Sequence, residues 1–183
     1  MRTILTLIIL FMLSGISQAT SLSEFCSEIP KWPRGQVVPD YTEYLDAHVG
    51  TPIDADFVKS KYQTKGWVII DARGQKDRAV GKIPKTVTMT SDYINPELNE
   101  ITEENFIRLV NKYLKKYEKI NHLPSSEELK NDYKYIIFCN GKKCHRSSYG
   151  ACQLRMQLGI PEENIFLMLG GYPEWKEAGY PTR

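Results

Sequence analysis

An excess of charge of one sign is missing from this chain. Its 183 residues carry 24 Lys+Arg against 22 Asp+Glu, a formal net charge of +2. So even a balance gives no support for a nucleic-acid binder, whose footprint is a basic patch or stripe. Long apolar runs are also missing. The stretch that comes nearest, Ile4 to Leu13, has ten residues, whereas a membrane-spanning helix needs about 20. Cysteine is scarce: Cys26, Cys139, Cys144 and Cys152 are too few to form a disulfide scaffold in a chain this long. Nothing in the sequence calls for a cofactor or a metal.

What is present begins with a leader. Arg2, the apolar Ile4–Leu13 core and the small-residue site Ser17-Gln18-Ala19 read as a signal peptide over residues 1–19. The mature chain is therefore expected to start near Thr20, to be periplasmic or secreted, and to keep no stable membrane span after cleavage. No lipid-attachment pattern precedes Cys26. An oxidising compartment and an even number of cysteines allow disulfides. For Cys26, pairing with another cysteine and an unpaired, buried role are both open. Residues 20–51 show no clean periodicity and are predicted to form an irregular N-terminal extension. The remainder, 52–183, is expected to be one globular domain, since 42% hydrophobic and 25% charged residues suffice for a real core.

Within that domain, short apolar runs alternate with helical segments. Asp54 is a candidate N-cap for a short helix with Phe57 and Val58 on one face. Trp67-Val-Ile-Ile70 reads as a buried strand, ended by Asp71-Ala72-Arg73-Gly74. Gly81-Lys82-Ile83-Pro84-Lys85 is a turn feeding a strand over Thr86–Met89. Phe106, Leu109, Val110, Tyr113, Leu114 and Tyr117 recur at spacings of three and four, which predicts an amphipathic helix with Glu103 and Glu104 in its first turn. Ser125-Ser-Glu-Glu128 reads as a capping box. Ile165 to Leu169 is another buried strand, followed by Gly170-Gly171 and a closing helix with Pro173 at its first position and Gly179 at its end. Continuous apolar strands between helices predict an α/β fold, a mostly parallel sheet with helices on both faces.

The chemistry-bearing stretch runs from Lys134 to Ser148. Tyr135–Phe138 is a buried strand, and Cys139 closes it. Asn140-Gly141 turns the backbone, and Ser147 or Ser148 can cap a helix carrying Tyr149, Cys152, Leu154, Met156 and Leu158 to a stop at Gly159. This places a thiol at the carboxyl edge of the sheet, where ligands of parallel sheets bind. The loop amides, the helix N-terminus and the side chains of Lys142, Lys143, His145 and Arg146 make that position electropositive. A free thiol with a pKa of about 8.5 is only roughly 3% thiolate at pH 7, and such surroundings can make thiolate the major form. Cys139 is thus the candidate nucleophile. Asn140, Gly141, Lys142, Lys143, Cys144, His145 and Arg146 are the candidate substrate-binding loop. Cys144 is open to two readings, a residue at the helix start without chemistry or a partner thiol for Cys139. Cys152, mid-helix, is expected to be core.

Three segments together resemble the rhodanese (sulfurtransferase) family: Val68-Ile-Ile-Asp71-Ala-Arg73 with Gly81-Lys-Ile-Pro84, the strand-ending Cys139, and Leu169-Gly-Gly171-Tyr-Pro-Glu-Trp175-Lys-Glu-Ala-Gly179-Tyr-Pro181. The resemblance spans residues 52–183 and gives Asp71, Arg73 and Trp175 structural roles. It implies that Cys139 accepts sulfane sulfur from a small anionic donor, thiosulfate or polysulfide. The resulting persulfide would pass the sulfur to a thiol or protein acceptor. The alternative it leaves is a thiol-redox or non-catalytic module using Cys139 and Cys144. The family's usual loop is Cys-x-x-Gly-x-Arg, whereas here Arg146 lies seven residues after Cys139 and Lys82 replaces a usual His. A Cys-x5-Arg phosphatase loop would want Arg at position 145, which holds His. A Cys139–Cys144 bond would close so short a loop that strain and easy reduction are expected of it.

Overall fold

Successive residues of a strand face opposite sides of its sheet, and this alternation sorts the core into two layers. Val68, Ile70, Tyr135, Ile137, Ile165 and Leu167 belong to one layer. Ile69, Ile136, Phe138 and Met168 belong to the other. With both faces buried, the strands must read as unbroken apolar runs, which is why they stand out in the sequence.

A computed structural model describes residues 22–28, 49–90 and 101–183. The expected signal peptide and most of the expected extension lie outside the described residues. In chain order the elements are α1 (Leu22–Glu28), β1 (Thr51–Ile53), α2 (Ala55–Lys61), β2 (Trp67–Asp71), α3 (Gln75–Ala79), β3 (Val87–Thr88) and α4 (Glu103–Tyr113). A π-helical turn, Leu114–Glu118, extends α4. There follow α5 (Ser126–Asn131), β4 (Lys134–Phe138), α6 (Arg146–Met156), a 3-10 turn at Glu162–Asn164, β5 (Ile165–Met168) and α7 (Gly171–Glu177). The strands lie in the order β1-β5-β4-β2-β3, and each neighbouring pair is parallel.

The register aligns Ile53 with Met168, Met168 with Phe138, and Phe138 with Asp71. The carboxyl ends of four strands are therefore level, and the loops that follow them share one edge. Phe25 of α1, Phe106 and Val110 of α4, Leu129 of α5, and Ala151 and Leu154 of α6 cover the first face. Ala55 and Val58 of α2, with Tyr172 and Trp175 of α7, cover the second. This is the α/β architecture expected from the sequence.

Local signals act as read. Asp54 accepts a hydrogen bond from the Phe57 N–H at 2.8 Å and caps α2. The Ser125–Glu128 capping box forms in both directions. Three expectations are corrected, and the pairing left open for Cys26 is answered. First, α6 starts at Arg146 with His145 at its N-cap, and no side chain caps it. Ser147 and Ser148 lie buried in its first turn instead, because the Cys144 N–H bonds the Gly141 carbonyl at 2.9 Å and brings the chain into the helix early. Second, residues 20–51 are not irregular throughout: they hold α1, whose Phe25 reaches the core. Third, Cys152 is buried as expected but is also bonded to Cys26, with Cα atoms 5.7 Å apart. Fourth, α7 begins at Gly171, whose φ of +63° lets the chain turn in two residues before Pro173. Among the described residues, no helix is long and apolar enough to cross a membrane.

Candidate functional site

Cys139 is the first residue beyond β4, and its place is fixed from three sides. The Ala72 N–H bonds the carbonyl of Phe138 at 3.0 Å, and the Tyr172 N–H bonds the carbonyl of Cys139 at 2.9 Å. The third support is the Gly170-Gly171 turn after β5. A Cβ on Gly171 would lie 2.4 Å from the Gly141 nitrogen and would overlap the Cys139 carbonyl, so only glycine lets this turn press on the base of the loop. Gly141 itself has φ +95°, in the left-handed region that favours glycine.

From this base the loop curls up and over. Asn140, Lys142 and Lys143 are exposed, Gly141 is buried, and the Gly141–Cys144 hydrogen bond closes the turn. Cys139 and Cys144 are joined by a disulfide with Cα atoms 6.0 Å apart, within the usual span of about 4.4–6.8 Å. Cys139 is 1% exposed, whereas Cys144 is half-buried. His145 is buried at the N-cap of α6. Arg146 starts that helix and places its Nη1 3.7 Å from Asp77 Oδ2 in α3. All eight residues singled out in the sequence therefore lie on one continuous turn at the carboxyl edge of the sheet. The N-terminus of α6 is aimed at the loop, with the partial positive charge such ends carry.

Behind the loop lies a buried ion pair. The Arg73 guanidinium donates from Nε to Asp71 Oδ1 at 2.9 Å and from Nη2 to Asp71 Oδ2 at 2.7 Å. Nη2 also donates to the Gly81 carbonyl at 3.0 Å. The same group lies 4.1 Å from the Tyr172 ring centroid and 5.5 Å from that of Phe138. Arg73 thus ties the ends of β2 and β4 to α7 and to the turn before β3. Trp175 is fully buried and donates its indole N–H to the Pro181 carbonyl at 2.9 Å. These contacts are architectural, as the sequence reading assigned them.

Beside the loop is an open cleft of about 920 Å³. Asn140, Gly141, Lys142 and Lys143 form one wall, and Ile53, Asp54, Phe57, Pro173 and Glu174 are among the residues that line the rest. Glu174 also accepts from the Ala55 N–H at 3.1 Å, which fixes α2 against α7. The space far exceeds what a small anion needs and has cationic, acidic and apolar surfaces. Sequence reasoning missed Gly171, Tyr172 and Asp77 as neighbours of the loop. The doubled glycine after β5 was the available signal for the first two, and nothing pointed to Asp77. Among the described residues, no cluster of His, Cys, Asp and Glu could hold a metal ion.

The family model of the Rhodanese-like domain matches residues 54–178. A solved structure of a protein from Bacillus halodurans aligns at a TM-score of 0.49 and 15% identity, over 78% of this chain and 82% of its own. The thiosulfate sulfurtransferase of Pseudomonas aeruginosa aligns at 0.46 and 15% identity, over 89% of this chain but 23% of its own. A single-domain sulfurtransferase from Saccharomyces cerevisiae aligns at 0.43 and 16% identity, over 72% and 96%. No curated protein matches the chain in sequence.

Proposed function

This chain belongs to the rhodanese-like domain family, and from that premise we propose that it is an exported sulfurtransferase, periplasmic or secreted, with Cys139 as its nucleophile. The observation that carries the reading is the position of Cys139 at the carboxyl end of β4, under a Lys-bearing loop that leads directly into α6. The Cys139 thiolate attacks the sulfane sulfur of an anionic donor such as thiosulfate or polysulfide. With thiosulfate, the sulfur–sulfur bond breaks, sulfite leaves with the electron pair, and Cys139 becomes a persulfide. An acceptor thiolate then attacks the outer sulfur, and the Cys139 thiolate is the leaving group. Lys142, Lys143 and the α6 N-terminus favour the anionic donor. The adjacent cleft has room for a thiol or protein acceptor.

A thiol in a disulfide is no nucleophile, so the bond to Cys144 must first be reduced. That bond also favours a second reading, a thiol-redox module in which the Cys139–Cys144 pair simply cycles. Thiosulfate separates the two. Reduced protein, cleared of reductant, is expected to release one sulfite per chain, and protein with the bond intact none. A reduced protein that releases no sulfite removes the sulfurtransferase reading and leaves the redox one.

A further expectation concerns Gly171→Ala. The added methyl group overlaps backbone atoms of Cys139 and Gly141, and left-handed geometry costs a non-glycine residue about 1–3 kcal/mol. The base of the loop must shift, and a displacement of about 1 Å at a reacting group can cost about 100-fold in rate. The sulfite-release rate of the folded variant is expected to fall by about that factor. A parental rate would show that the Gly170-Gly171 turn does not position Cys139.

A further inference from the structure

We propose that Cys144 is a second catalytic residue, which resolves the Cys139 persulfide and makes this protein a dithiol-dependent reductase of sulfane sulfur that releases hydrosulfide. The inference rests on the persulfide reading above. It begins from the bond between Cys139 and Cys144, which is the product such a step would leave.

The fold holds the two sulfurs where the step needs them. Cys139 is anchored through its carbonyl by the Tyr172 N–H, and Cys144 through its N–H by the Gly141 carbonyl. Gly141 is in turn packed on Gly170, whose carbonyl oxygen would be 3.1 Å from any Cβ placed there. With both ends pinned, Cys144 acts as an intramolecular thiol. Short tethers give effective concentrations of at least the millimolar range, and well-oriented groups exceed it by orders of magnitude. An external thiol has to compete with that for the persulfide.

The chemistry balances. The Cys144 thiolate attacks Cys139 Sγ, the bond from Sγ to the outer sulfur breaks, and that sulfur leaves as hydrosulfide with the electron pair. The two thiols lose two electrons and become the disulfide, and the sulfane sulfur gains them. An external dithiol then reduces the disulfide. The exposure of the two residues orders this last step. Cys144 is half-buried, whereas Cys139 is 1% exposed, so the incoming thiolate meets Cys144 and expels Cys139 as the thiolate. Each cycle then begins with the nucleophile already free. With thiosulfate as donor, the net reaction consumes one dithiol and yields sulfite, hydrosulfide and the oxidised dithiol.

The test uses the parent and Cys144→Ser, both fully reduced, cleared of reductant and mixed anaerobically with thiosulfate, with Cys144→Ala as a second variant in case the hydroxyl perturbs the loop. Sulfite, hydrosulfide and intact mass are followed together. The parent is expected to release sulfite and hydrosulfide in equal amounts and to end as the disulfide without added sulfur. Cys144→Ser is expected to lose hydrosulfide release altogether, so that the sulfite it releases is matched by added sulfur kept on Cys139 instead of by hydrosulfide. A parent that releases sulfite but keeps its added sulfur as the variant does overturns the role of Cys144 alone. If neither protein releases sulfite, the persulfide reading fails, and the present inference falls with it.

Discussion

Replacing Cys139 by serine is expected to bring sulfite release from thiosulfate to background, a loss of at least about three orders of magnitude, as removal of a catalytic nucleophile produces. The swap exchanges one atom in a residue whose backbone is fixed from outside, by the Tyr172 N–H on its carbonyl. Serine at neutral pH is a poor nucleophile without a base to activate it. The substitution also deletes the Cys139–Cys144 bond, which closes a sequence separation of only 5, so any stability change must be kept apart from the chemical one. Cys144→Ser deletes the same bond and keeps the nucleophile, and is the proper control. The contrast expected is sulfite release from Cys144→Ser and none above background from Cys139→Ser, with similar far-ultraviolet circular dichroism. Sulfite release by Cys139→Ser at the parental rate would exclude Cys139 as the nucleophile.

The largest expected effect on stability is at the other bridge. Cys26 and Cys152 are separated by 126 positions, and on the chain-entropy account closing a loop of that size stabilises the native state by about 4–5 kcal/mol. The bridge holds α1 on α6, the helix that leads out of the Cys139 loop. The double variant Cys26→Ala/Cys152→Ala leaves no stray thiol to mispair. Its unfolding free energy in denaturant, without reductant, is expected to fall by about that amount. Sulfite release should persist wherever the variant is folded, since neither residue lies in the loop. Denaturation midpoints equal to the parent's would show that the bridge adds nothing to the native state.

Sequence and structure agree where one residue or one short pattern decides the outcome. Val68–Ile70 and Tyr135–Phe138 read as buried strands because both faces of their sheet are covered. Asp54 and Ser125 read as caps because a cap is a local bond. Cys139 could be placed at a strand end because Asn140-Gly141 follows it. Disagreement comes where distant chain segments meet. Four cysteines allow three pairings, and no spacing says that Cys26 lies over Cys152. The seven residues of α1 are too few to print a periodicity, and only the seating of Phe25 in the core fixes them. The start of α6 depends on a turn bond, Cys144 to Gly141, that overrides the capping preference of Ser147 and Ser148. Asp77 meets Arg146 through the packing of α3 beside the loop, which no sequence pattern announces.

The bridges are nested: the first cysteine of the chain bonds the last, and the two in between bond each other. Synthesis delivers them in a different order. A growing chain presents Cys26 alone, then Cys139 as the first thiol within its reach, and Cys152 last. Oxidation in order of appearance would therefore join Cys26 to Cys139 and trap the candidate nucleophile in a bond to the N-terminal helix. Reaching the nested arrangement takes either a sheet that forms before Cys26 is oxidised or a thiol–disulfide exchange, by Cys144 or by an isomerase, that reshuffles the first bond made. The yield of the nested form thus depends on the timing of oxidation relative to folding, and a strong oxidant supplied early works against it.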